Sequence, residues 1–72
     1  MNVGKWLYKK LFLMKKSQVW LYRRARLTDG SIQRWANGQD PGTEPFLRVC
    51  KVLAVECGVT QLDIVGEYLE TK

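Results

Sequence analysis

The sequence contains no histidine, so the commonest general base and metal ligand at neutral pH is missing. Its two cysteines, Cys50 and Cys57, are spaced neither as a C-x-x-C metal or redox pair nor as part of a dense disulfide framework. Both are expected to be reduced thiols, Cys50 as a small buried hydrophobe and Cys57 exposed beside Gly58. Apolar runs are short and broken by Lys9, Lys10, Lys15 and Lys16, so none approaches the ~20 residues of a membrane span. No small-residue cleavage site follows Leu11 to Met14, so no secretory leader is expected. These absences argue for a cytoplasmic, non-enzymatic protein with no metal and no cofactor.

What remains is 72 residues, 46% apolar and 26% charged. That is one small domain over 1–72, near the lower size limit for folding without metal or disulfide help. Twelve Lys and Arg against seven Asp and Glu give +5, unevenly spread. Residues 1–38 carry nine basic side chains (Lys5, Lys9, Lys10, Lys15, Lys16, Arg23, Arg24, Arg26, Arg34) and one acid, Asp29, a balance of +8. Residues 39–72 carry three bases against six acids, a balance of −3. One end of the domain is suited to a polyanion and the other is not.

The punctuation marks five short helices and no strand, an all-α domain. Over 5–16, Leu7, Leu11 and Met14 share one helical face, with Tyr8 and Phe12 at its margin and Trp6 and Leu13 off it. Ser17 caps a second helix, Val19 to Ala25, ending near Arg26. Thr28 is expected to cap a third, with Asp29 in its first turn, Ile32 and Trp35 on its buried edge, and Asn37-Gly38 as its stop. After the Gln39 to Gly42 loop, Thr43 caps a fourth helix that buries Phe46, Leu47, Val49, Cys50 and Leu53, with Glu44 and Pro45 in its first turn. Past Gly58, Thr60 caps a fifth carrying Leu62, Val65 and Leu69, with Ile64 and Tyr68 beside them. The expected core includes Leu7, Leu11, Leu21, Ile32, Trp35, Leu47 and Leu53.

The segment SQVWLYRRARLTDGSIQRWANG, Ser17 to Gly38, resembles the Cro/CI-type (XRE) helix-turn-helix family of phage and bacterial regulators. The matching positions are Ser17-Gln18, Leu21, Leu27, Thr28, Ile32, Trp35 and Asn37-Gly38, and the resemblance continues through Asp40-Pro41 and Phe46 to Leu53. It implies a compact five-helix, lambda-repressor-like fold with its helix-turn-helix at helices 2 and 3. Two positions depart from the family pattern: Tyr22 stands where a small residue is usual, and Arg26 where glycine is usual. Arg26 must therefore take a left-handed conformation, at a cost of roughly 1 kcal/mol, or reshape the turn.

The resemblance implies a sequence-specific regulator whose third helix, about 28–36, lies in the major groove of an operator. Thr28, Asp29, Gly30 and Arg34 match base-facing or groove-facing places, and Ser31 and Gln33 share the available face. Gln18 and Asn37 match phosphate-contacting places, with Lys15, Lys16 and Arg24 as further phosphate candidates. Asp29 is either a reader of cytosine N4 or a first-turn helix stabiliser, and Gln33 and the lysines of the first helix are either DNA contacts or a solvated face. A homodimer is expected through Val59, Ile64, Val65, Tyr68 and Leu69, since one recognition helix reads too few base pairs.

The implied setting is the bacterial or phage-infected cell, with a repressor or Cro-like role in a phage or mobile element. Regulation would come from concentration, dimerisation or a protein antagonist or co-regulator, no further domain being expected after the fifth helix. Restriction-modification controllers and antitoxins share this fold. Outside the class stand a basic amphipathic membrane-surface helix, Lys5 to Lys16, and a protein-interaction module without DNA binding.

Overall fold

The computed structural model describes residues 2–71. Five helices follow one another, α1 Val3–Met14, α2 Gln18–Ala25, α3 Ser31–Ala36, α4 Thr43–Cys57 and α5 Gln61–Glu70, with no strand among the described residues. No helix is long and apolar enough to cross a membrane. Packing of α1 on α3, α2 on α4 and α4 on α5 encloses one core. Leu7, Leu11, Leu21, Ile32, Trp35, Val49, Cys50, Leu53 and Ile64 form its centre.

Each helix start has a physical cause. Asn2 caps α1 by accepting from the Lys5 amide at 2.8 Å, and its Nδ2 donates to the Ala36 carbonyl at 2.8 Å. One side chain thus fastens the start of α1 to the end of α3. This is why α1 begins two residues before the expected start. It ends early as well, because Lys15 turns left-handed (φ 59°) and the Lys16 amide closes on the Leu11 carbonyl at 3.0 Å. Ser17 caps α2 through the Trp20 amide at 3.0 Å. Of the two alternatives open to it, Arg26 takes the left-handed conformation (φ 57°), and the Leu27 amide reaches the Tyr22 carbonyl at 3.0 Å. Gly42, not Thr43, is the N-cap of α4, with its amide held by Asp40 Oδ1 at 2.9 Å.

At α5, Thr60 Oγ1 accepts from the Asp63 amide at 3.1 Å while Asp63 Oδ2 accepts from the Thr60 amide at 3.0 Å, a reciprocal cap. The bond from the Thr60 backbone, then that of its side chain, holds the Asp63 carboxyl below the usual carboxylate range. A folded-state value below the unfolded one means stabilisation that is complete above the ordinary Asp range and lost as pH falls through the lowered value. Asp63→Asn is therefore expected to unfold at lower urea than the parent near neutrality. The gap between the two midpoints should close in strong acid, and a gap independent of pH would contradict the ionised cap.

Three expectations about buried faces need correction. At 100° per residue, the buried arc of α1 runs from Trp6 through Leu7 to Leu11, because the helix packs on more than one neighbour. Trp6 is accordingly buried, edge-on to Tyr68 with ring centres 5.1 Å apart, while Phe12 on the far side is 81% exposed. Leu47 is 38% exposed, since α4 turns Val49, Cys50, Leu53 and Ala54 inward. In α5 the inward stripe is Ile64 and Tyr68, the latter also edge-on to Phe46 at 5.3 Å, and Leu62 is left 79% exposed. Ile64 and Tyr68 are thus core residues that keep little exposed area for a dimer contact. Val59, Val65 and Leu69 keep exposed or half-buried positions.

Candidate nucleic-acid interface

The link between α2 and α3 is a tight turn. Gly30 (φ 81°, ψ 0°) has the conformation a type II turn needs at its third residue, and the Ser31 amide donates to the Thr28 carbonyl at 3.1 Å. Helix α3 therefore starts two residues later than a Thr28 cap implies. Thr28 and Asp29 lie in the turn, so Asp29 does not stabilise a first helical turn. Gly30 is favoured by its positive φ, and its missing Cβ leaves room for the Arg34 guanidinium, whose Nη1 would be 3.3 Å away.

Four of the expected base readers meet in one hydrogen-bonded cluster. Ser31 Oγ donates to the Thr28 carbonyl at 2.7 Å. With that proton committed, the 2.9 Å contact between the two hydroxyls has Thr28 Oγ1 as donor. Arg34 lays its guanidinium over the same turn, with Nη2 donating to Thr28 Oγ1 at 3.1 Å and Ser31 Oγ at 3.2 Å, and Nη1 to the Asp29 carbonyl at 3.3 Å. Ser31 is only 5% exposed and braces the turn from within. Thr28, Asp29, Gln33 and Arg34 remain exposed.

Gln18 opens α2 and Asn37 closes α3, both exposed. Lys15 is exposed at the end of α1. Lys16 is less free, because its ammonium pairs with Glu56 at 3.3 Å. It also lies 5.4 Å from the centre of the Trp20 ring, which the Arg24 guanidinium approaches at 5.5 Å. Lys10 bonds both Glu67 oxygens at 2.9 Å. Arg48 bonds Glu44 at 2.9 Å and the Ala25 carbonyl at 3.1 Å.

These pairings redistribute the charge that the sequence shows. Acids of the second half pair with Lys10, Lys16 and Arg48. Arg23, Arg24, Arg26 and Arg34 are exposed and in no ion pair among the described residues. The only carboxylate in the α2–turn–α3 segment is that of Asp29. The α2–turn–α3 segment thus holds these four exposed arginines against one carboxylate, and Lys5, Lys9 and Lys15 add exposed cations on and just after α1.

Sequence reasoning missed two features that hold this surface. The Asn2 tether is one, and Gly4 is the other: a Cβ on Gly4 would fall 2.1 Å from the Ala36 amide nitrogen, so α1 and α3 touch backbone to backbone there. A glycine inside an amphipathic helix was the available signal. The thiol of Cys50 is pushed up to about 11 by burial and stays protonated at neutral pH, while Cys57 is exposed. No group of three or more carboxylate or thiol side chains among the described residues is placed to hold a metal ion. No family model, curated protein or solved structure matches the chain.

Proposed function

We propose that the protein is a sequence-specific double-stranded DNA-binding transcriptional regulator of the Cro/CI (XRE) type, a repressor or Cro-like protein of a phage or mobile element. The observation that carries this is the α2–turn–α3 segment, with four exposed arginines, none in an ion pair among the described residues, around an exposed turn (Thr28, Asp29) and a short helix that keeps Gln33 and Arg34 on the surface. In this reading α2 and α3 form a helix-turn-helix. The major groove admits one helix, and a preceding helix laid across the backbone sets its register.

Thr28, Asp29, Gln33 and Arg34 are the base-facing side chains, and Ser31 and Gly30 shape the turn that presents them. Arg34 is bonded to two neutral hydroxyls and a carbonyl, partners a guanine edge can replace with a bidentate pair. Gln18, Asn37, Lys15 and Arg24 contact phosphates, and Lys16 joins them when it leaves Glu56. The protein acts as a homodimer, which sets two recognition helices about 34 Å apart, through a surface that includes Val59, Val65 and Leu69.

Arg34→Ala is expected to cost about 1–3 kcal/mol on the preferred site and to relax preference at one base pair per half-site. Binding to random duplex should largely persist. Competition among single-base variants of the site measures this, and an equal loss on every sequence would move Arg34 to the phosphates.

A further inference from the structure

Trp20 is a half-buried aromatic side chain to which the regulatory reading gives no task, and two cations sit against it. Lys16 Nζ lies 5.4 Å from the ring centre and the Arg24 guanidinium 5.5 Å. Resting on the DNA-binding reading, we infer that Trp20 is a positioning residue whose indole gathers Lys16 and Arg24 into one contact for the sugar-phosphate backbone of duplex DNA.

The arrangement follows from how the chain enters α2. Trp20 and Arg24 are four apart and share a helix face. Lys16 precedes the cap, and its backbone is fixed by the 3.0 Å bond from its amide to the Leu11 carbonyl. Ser17 anchors the other side by accepting from the Trp20 amide at 3.0 Å. The electron-rich indole attracts both cations. Long basic side chains also lose rotamer freedom when they bind, a loss that is smaller for side chains already held.

Glu56 supplies the anion in the protein alone. Its 3.3 Å contact with Lys16 joins side chains that are 34% and 36% exposed, an open pair that an incoming phosphate can displace. Next to it, Ser17, Val19, Trp20, Arg23 and Arg24 line a surface depression, so the contact is open to a duplex.

The test is anisotropy of a short, labelled, random-sequence duplex titrated at several salt concentrations with the parent, Trp20→Leu and Trp20→Phe, each shown to be folded by circular dichroism. Trp20→Leu is expected to weaken binding roughly tenfold and to flatten the slope of log K against log salt by about one to two. Trp20→Phe keeps an aromatic face and should stay within about threefold of the parent. Adding Lys16→Ala and Arg24→Ala should cost less in the Trp20→Leu background than in the parent. Full additivity, or an unchanged slope in folded Trp20→Leu, would overturn the positioning role alone. A parent that does not bind the duplex would overturn this inference together with the function on which it rests.

Discussion

Gly4→Ala is expected to destabilise the protein by about 3 kcal/mol, the upper part of the range for overpacked contacts. The new methyl carbon would stand 2.1 Å from the Ala36 nitrogen and 2.5 Å from both the Ala36 Cα and the Ile32 carbonyl oxygen. All three are backbone atoms, which no rotamer change can move aside. The helices must therefore part, and the Asn2 bond to the Ala36 carbonyl goes with them. Alanine's better helix propensity returns at most about 1 kcal/mol. A domain this small has roughly 5 kcal/mol or less to lose.

Gly66→Ala is the matched control, because nothing lies within 4 Å of its Cβ position in α5. There the same substitution should stabilise by about 0.5–1 kcal/mol. Urea midpoints for the two variants should move in opposite directions. A Gly4→Ala protein as stable as the parent would contradict the close crossing of α1 and α3.

Trp35→Ala should cost more, about 3–5 kcal/mol, the usual range for removing a large buried aromatic. Trp35 is buried beside Ile32 on the side of α3 that packs on α1, so its loss opens a void under the candidate recognition helix. Calorimetry is expected to show little or no cooperative unfolding at room temperature and above. A variant that melts like the parent would mean that Trp35 is not in the core. Both substitutions lie behind α3 and touch none of its exposed residues, so a folded survivor that binds DNA poorly would report on the orientation of α3.

Helix number, helix order and the starts of α2 and α5 were legible because local chemistry sets them. Ser17 and Thr60 hold their caps in one side-chain bond each, and Arg26 meets the left-handed demand of its turn. What was not legible depends on contacts between distant residues. Trp6 falls off the apolar face of an isolated α1, yet it is buried in the fold, where Tyr68 comes from the far end of the chain to meet it.

In α5 two apolar stripes overlap, and the pattern alone does not decide between Leu62 with Leu69 and Ile64 with Tyr68. The nearby aromatic rings do. Within the candidate site, the exposed residues of the turn could be read in order, but Thr28 was misplaced because Gly30 satisfies the turn by itself. The +8 of the first half also overstated what a polyanion would meet, since Glu67 and Glu56 reach across to Lys10 and Lys16.

The most direct test of the central proposal is selection of a random duplex pool with the purified protein, repeated across salt concentrations. Enrichment of a two-fold symmetric site is expected, with half-sites about one helical turn apart and affinity that falls steeply as salt rises. Binding with no enriched sequence, or no binding at low salt, would contradict a sequence-specific regulator.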